Sequence, residues 1–147
     1  MGSESRAGVA DGPAIRDGEE LVLDASAMVD LLLGADSAAL IRVRLLNSRL
    51  HAPAHFDAEV LSALGRLNRA GHLPAAVVTS LLPRIENARI RRHPVSQLLG
   101  GAWDRRDEVS LADALYVELA ERLGAPIIST DDRLVAAAPR AENPAAG

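Results

Sequence analysis

The chain has 147 residues, 48% of them apolar, and a formal net charge of −4, which suits one domain around one core. With one Phe, one Trp and one Tyr, that core must be built from Ala, Leu, Val and Ile, which argues against a single-strand binder that stacks bases on aromatic platforms. The chain has no cysteine, so disulfides, thiolate metal sites and a cysteine nucleophile are excluded.

All sixteen basic residues are arginine. The first twenty residues hold Glu4, Asp11, Asp17, Glu19 and Glu20 against Arg6 and Arg16, so the rest of the chain is close to neutral and net charge does not rule out an RNA substrate. No stretch approaches the roughly 20 apolar residues of a membrane span, and the N-terminus lacks the apolar core of a secretory signal. A soluble, cytoplasmic protein without a membrane partner is expected. Residues 1–19, rich in Gly, Ser, Asp and Ala without periodicity, read as a flexible leader. Residues 20–139 read as the folded domain and 140–147 as a Pro-containing tail.

In chain order, "ELVLD" reads as a short buried strand ending at Asp24, followed by the helix "ASAMVDLLLG", which Gly34 stops. Leu40, Ile41, Val43, Leu45 and Leu46 suit a second helix begun by Asp36 or Ser37, and "RLHAP" a short strand. Phe56, Val60, Leu64 and Leu67 fall at helical spacing in a segment that ends at Gly71. "LPAAVVTSLLPRI" predicts a helix entered at Pro74 and interrupted near Pro83, and "ARIRRHPV" a weak strand. Pro94 opens a short helix loosened by Gly100 and Gly101. In "SLADALYVELAERLG", Ser110 caps a helix with Leu111, Leu115, Leu119 and Leu123 on one face, and Gly124 ends it. "APIIST" is a buried strand and "DDRLVAAA" a last short helix. This order gives an α/β fold with a small parallel sheet, and ligands of such sheets bind at the carboxyl ends of the strands.

Four acids share a local position. Asp24 ends the first strand, Glu59 lies in the first turns of the helix after the second, Asp113 in the first turn of the "SLADALY" helix, and Asp131 after "PIIST". Each has an ordinary explanation: Asp24 and Asp131 as helix caps, Ser110 with Asp113 as a capping box, Glu59 as a solvated helical acid. Taken together at one sheet edge, they would raise one another's pKa unless a cation offset the charge. Oxygen ligands without His or Cys select Mg²⁺ or Mn²⁺, ions that activate water and hold phosphodiester oxygens.

"LVLDASAMVDLLLG", "HAPAHFDAEVLSAL" and "SLADALYVELAERLGAPIISTDDRL" together resemble the PIN-domain family, and within it the VapC-like toxins of toxin–antitoxin pairs, over about residues 21–138. The resemblance implies a three-layer α/β/α fold and Mg²⁺-dependent endoribonuclease activity, with Mn²⁺ as a substitute ion. It also implies an RNA substrate, neutralisation by a cognate VapB-like antitoxin, and a homodimer. Asp24, Glu59, Asp113 and Asp131 match the family's acidic quartet, with Asp24 and Asp113 the firmest metal ligands, and Ser129 takes the place of its hydroxyl residue. Asp132 is the alternative to Asp131, and the spacing from Ser129 favours Asp131.

Other functions fit less well. A phosphoacceptor role for Asp24 calls for a lysine in many such proteins, and no G-x-G-x-x-G follows the first strand to bind a dinucleotide. A PIN-fold protein that only binds, to an antitoxin or to itself, is the alternative; loss of one of the acids would be its mark. His51, His55, His72 and His93 show no metal-ligand spacing, although His55, four residues before Glu59, could approach the site. Tyr116 reads as packing and Trp103 as an interface residue. Arg84, Arg89, Arg91, Arg92, Arg105 and Arg106 suit phosphate, solvent or antitoxin equally well.

Overall fold

The computed structural model describes residues 18–146. Apart from Gly18 and Glu19, the leader expected over residues 1–19 lies outside them, and Glu19 already begins the first strand. Five strands, β1 (Glu19–Leu23), β2 (Ser48–Pro53), β3 (Ile90–His93), β4 (Ile127–Ile128) and β5 (Ala141–Glu142), form one sheet in the order β3-β2-β1-β4-β5. All pairings are parallel. Helices α1 (Ala25–Leu33), α2 (Ala38–Leu45), α3 (Phe56–Arg69), α4 (Ala75–Glu86), α5 (Leu99–Asp104), α6 (Leu111–Leu123) and α7 (Asp132–Ala137) flank it, in the three-layer α/β/α arrangement. Among the described residues, no helix is long and apolar enough to cross a membrane.

The core is aliphatic, as composition requires. Leu21, Val22 and Leu23 of β1 and Ile127 and Ile128 of β4 are fully enclosed, and α6 lies over β1, β2 and β4. Such continuous apolar runs are what a parallel strand covered on both faces needs. Helices α1 and α6 end as expected, with Gly34 and Gly124 in the left-handed conformation at φ 65° and 62°, where a side chain would be strained.

Three details differ from the sequence reading. Helix α4 runs through Pro83 without interruption, because Leu81 and Ile85 on either side of it are buried and their packing outweighs the missing N–H. Helix α2 forms, yet of its expected apolar set only Ile41 is fully buried; Leu40, Val43 and Leu46 face solvent. Ala141 and Glu142, read as tail, pair with Ile127 and Ile128 as the edge strand β5.

The chain passes from β1 to β2 on one side and later returns to place β4 on the other. Loops leaving β1 and β4 therefore diverge, and the carboxyl edge between them is the crevice in which an open α/β sheet binds ligands.

Candidate active site

Strand register sets the first two residues of the site. Leu23 pairs with Ile128, and the Asp24 N–H donates to the Ile128 carbonyl at 2.9 Å, which brings Asp24 level with Ser129. Asp24 is 5% exposed and Ser129 wholly buried. The Ser26 and Ser129 hydroxyls donate to Asp24 Oδ2 at 2.6 and 2.8 Å. Although Asp24 occupies the N-cap position of α1, its carboxylate makes no capping hydrogen bond. The capping explanation for this residue is therefore not what the structure uses.

The two serines also shape the loop after β4. Ser26 Oγ accepts the Thr130 N–H at 3.0 Å, and Ser129 Oγ accepts the Asp131 N–H at 3.0 Å. Asp131 caps α7 by accepting the Arg133 N–H at 2.9 Å. Ser110 caps α6 by accepting the Asp113 N–H at 3.2 Å, so the Asp113 carboxylate stands in the first turn of that helix. Glu59, in the first turn of α3, accepts the Tyr116 hydroxyl at 2.7 Å on Oε1.

Asp24, Glu59, Asp113 and Asp131 line one open cleft of about 340 Å³, together with Ser26, Asp30, Thr130 and Arg66. Asp132 is exposed and does not line it. The acids also feel one another. Burial pushes the Asp24 carboxyl above its ordinary range against the pull of Ser26 and Ser129, and the charges of Asp113 and Glu59 push the same way. Asp113 is raised too, first by burial and then by Asp131, with Ser110, Arg133 and His55 opposing.

Two residues given minor weight in the sequence belong to this site. Tyr116 is wholly buried, and burial with the neighbouring Glu59 and Asp24 charges drives its pKa far up, so it stays a hydroxyl donor to Glu59. His55 Nε2 stands 3.6 Å from Glu59 Oε1, the approach that its place four residues earlier on the helix suggested. Of the six arginines weighed from sequence, Arg92 and Arg105 are held in ion pairs with Asp57 and Glu118. Arg66, which sequence reading passed over, lines the cleft instead; its position seven residues after Glu59, two helical turns along one face, was the available signal.

The donor set is all oxygen and suits a hard divalent cation. Among the described residues no three acidic or histidine side chains are gathered closely enough to enclose an ion as they stand, since Glu59 is turned to Tyr116 and Asp24 is held by two serines. Mg²⁺ fits such an open arrangement, because it commonly keeps several waters and binds through one or two carboxylates plus phosphate.

Similarity to known proteins places the chain in a family. The PIN domain family matches residues 21–139. Ribonuclease VapC3 of Mycobacterium tuberculosis is 54% identical over 84% of this chain and 90% of its own length. Ribonuclease VapC12 of the same organism is 39% identical over 78% of this chain and 88% of its own. A toxin–antitoxin complex from Klebsiella pneumoniae shares the fold with a TM-score of 0.62 at 15% identity, covering 84% of this chain and 97% of that one. By the span of the domain match and the identity to these relatives, the chain belongs to the PIN-domain family, among its VapC ribonucleases.

Proposed function

We propose that this protein is a VapC-like endoribonuclease toxin that cleaves RNA with Mg²⁺, for which Mn²⁺ can substitute, held by Asp24, Glu59, Asp113 and Asp131. The observation that carries this reading is the convergence of four carboxylates, from the ends of β1 and β4 and the first turns of α3 and α6, on one cleft. Their mutual repulsion is the condition that a cation relieves.

Bound there, a divalent cation lowers the pKa of a water and offsets charge on a phosphodiester. The chain's own groups prepare the site. Ser26 and Ser129 both bind Asp24 Oδ2, which leaves Oδ1 without a partner among the described residues. Tyr116 fixes one oxygen of Glu59 and ties α3 to α6. His55, beside Glu59 and the Ala112 carbonyl, supplies an imidazole in the depression that adjoins the cleft at Glu59.

The names of the relatives support RNA as substrate, the Klebsiella complex supports an antitoxin partner, and the VapC-like reading makes that partner VapB-like. Leu99, Trp103 and Leu111 offer exposed apolar surface that suits such protein contacts, including a homodimer. The folded unit is assigned to residues 20–139 as a PIN domain, to which Ala141 and Glu142 add the edge strand β5.

Asp113→Asn tests the assignment. The variant retains its cap from Ser110, which uses the backbone N–H, so its circular dichroism and melting should stay close to wild type while metal-dependent cleavage of RNA falls at least about 100-fold. A variant that unfolds while keeping its activity per folded molecule would return Asp113 to a capping role. Folded protein that binds antitoxin but cuts no RNA would point to the binding-only alternative.

A further inference from the structure

The acidic cleft has one cation on its wall. Asp24, Asp30, Glu59, Asp113 and Asp131 line it with Arg66. Arg66 is exposed, and among the described residues no carboxylate is paired with it, although five line the same cleft. Several arginines that stand near acids are captured by them, as Arg44, Arg92, Arg105, Arg122 and Arg140 show, whereas Arg133, whose charge reaches Asp113, does not line the cleft.

Arg66 also lines a second depression, of about 330 Å³, formed along α3 by His55, Ala58, Glu59 and Ser62. Positions 55, 59, 62 and 66 follow helical spacing, so His55, Glu59, Ser62 and Arg66 make one polar stripe that leads away from the acids. Ser62 and Arg66 add hydrogen-bond donors farther along it, about 4.5 Å and about 10 Å along the helix axis from Glu59 by the rise of 1.5 Å per residue. A polyanion entering a cleft walled by carboxylates is repelled unless a fixed cation meets it. A guanidinium does this better than an ammonium, because its planar fork matches two phosphate oxygens.

Resting on the ribonuclease reading, we propose that Arg66, with Ser62 beside it, forms a phosphate-binding subsite on α3 that grips the RNA backbone next to the phosphodiester held at the acids. Arg66 thereby positions the substrate strand along the stripe and takes no part in proton transfer.

The test is binding of a fluorescent single-stranded RNA in EDTA, between 50 and 200 mM salt, to the full-length wild type, Arg66→Gln and Arg84→Gln. Mn²⁺ titration calorimetry is run on the same proteins. Arg66→Gln should weaken RNA binding about 10-fold, the scale of one charge-assisted contact, and flatten the plot of log affinity against log salt by about 0.7. Arg84→Gln, on the exposed side of α4, should leave the affinity within about twofold, and Mn²⁺ affinity should not fall in either variant. Equal affinity and slope for Arg66→Gln and wild type, in a protein that still cleaves RNA, would overturn the subsite and leave the ribonuclease reading standing. Wild type that neither binds nor cleaves RNA would remove that reading and the subsite with it. Loss of Mn²⁺ binding in Arg66→Gln would also overturn the proposal, since a phosphate anchor has no stake in the cation.

Discussion

At Asp24 the requirements of the site work against those of the fold. The carboxylate is almost fully buried, and its pKa stands above the ordinary 3.8, first because of burial and then because of Asp113 and Glu59. A raised acid favours the protonated folded state, so the stability it contributes is complete below the unfolded value and is lost as pH rises through the folded one. At neutral pH the charge is therefore a burden on the apo fold. Asp24→Asn should raise the melting temperature at pH 7 by a few degrees, since its carbonyl oxygen can accept both serine hydroxyls, and the gain should vanish at about pH 3. Mg²⁺ should then stabilise the wild type and not the variant. A variant that melts lower than wild type at pH 7 would mean that the two serine hydrogen bonds need the full charge.

Among the elements, α3 carries the most, because it presents both Glu59 and Arg66 and must start at a fixed place. Arg92 of β3 provides that anchor. Its guanidinium donates to both oxygens of Asp57 at 2.9 and 3.1 Å and to the carbonyls of Ile85, Ala88 and Ile90. The Asp57 partner is half exposed, so the ion pair adds little by itself, and the weight rests on the three carbonyls that only a fork can reach together. Arg92→Lys should lower the unfolding free energy in urea by about 2 kcal/mol; an unchanged midpoint would show that the three carbonyls do not need the fork. Nothing in the local sequence announces this role, since a basic pair in a weak strand reads equally well as surface. β1, α1 and α6 were legible because apolar periodicity and glycine stops are local signals. β5 was not, because two residues become a strand only through a partner far along the chain. Tyr116 shows the same limit within the site: its spacing from Asp113 is local, but Glu59, which takes its hydroxyl, lies 57 residues away.

For the whole molecule, the sheet order explains why acids scattered from residue 24 to residue 131 line one cleft. With β4 and β2 on either side of β1, the carboxyl edge gathers Asp24 with Asp131 directly, and the helices that follow β2 and precede β4 bring Glu59 and Asp113 to the same cleft. Local reading located each acid, while only parallel pairing makes them neighbours, which is why the order of elements was the informative feature of the sequence. The same gathering leaves acids that repel the phosphodiester to be cut until a divalent cation enters, so activity should depend steeply on divalent metal. The most direct measurement is digestion of total RNA by purified, antitoxin-free protein in Mg²⁺, in Mn²⁺ and in EDTA, with Asp24→Ala alongside. The account predicts discrete fragments with either ion and none with EDTA or with the variant. Fragments that persist in EDTA, or that Asp24→Ala produces as fast as wild type, would contradict it.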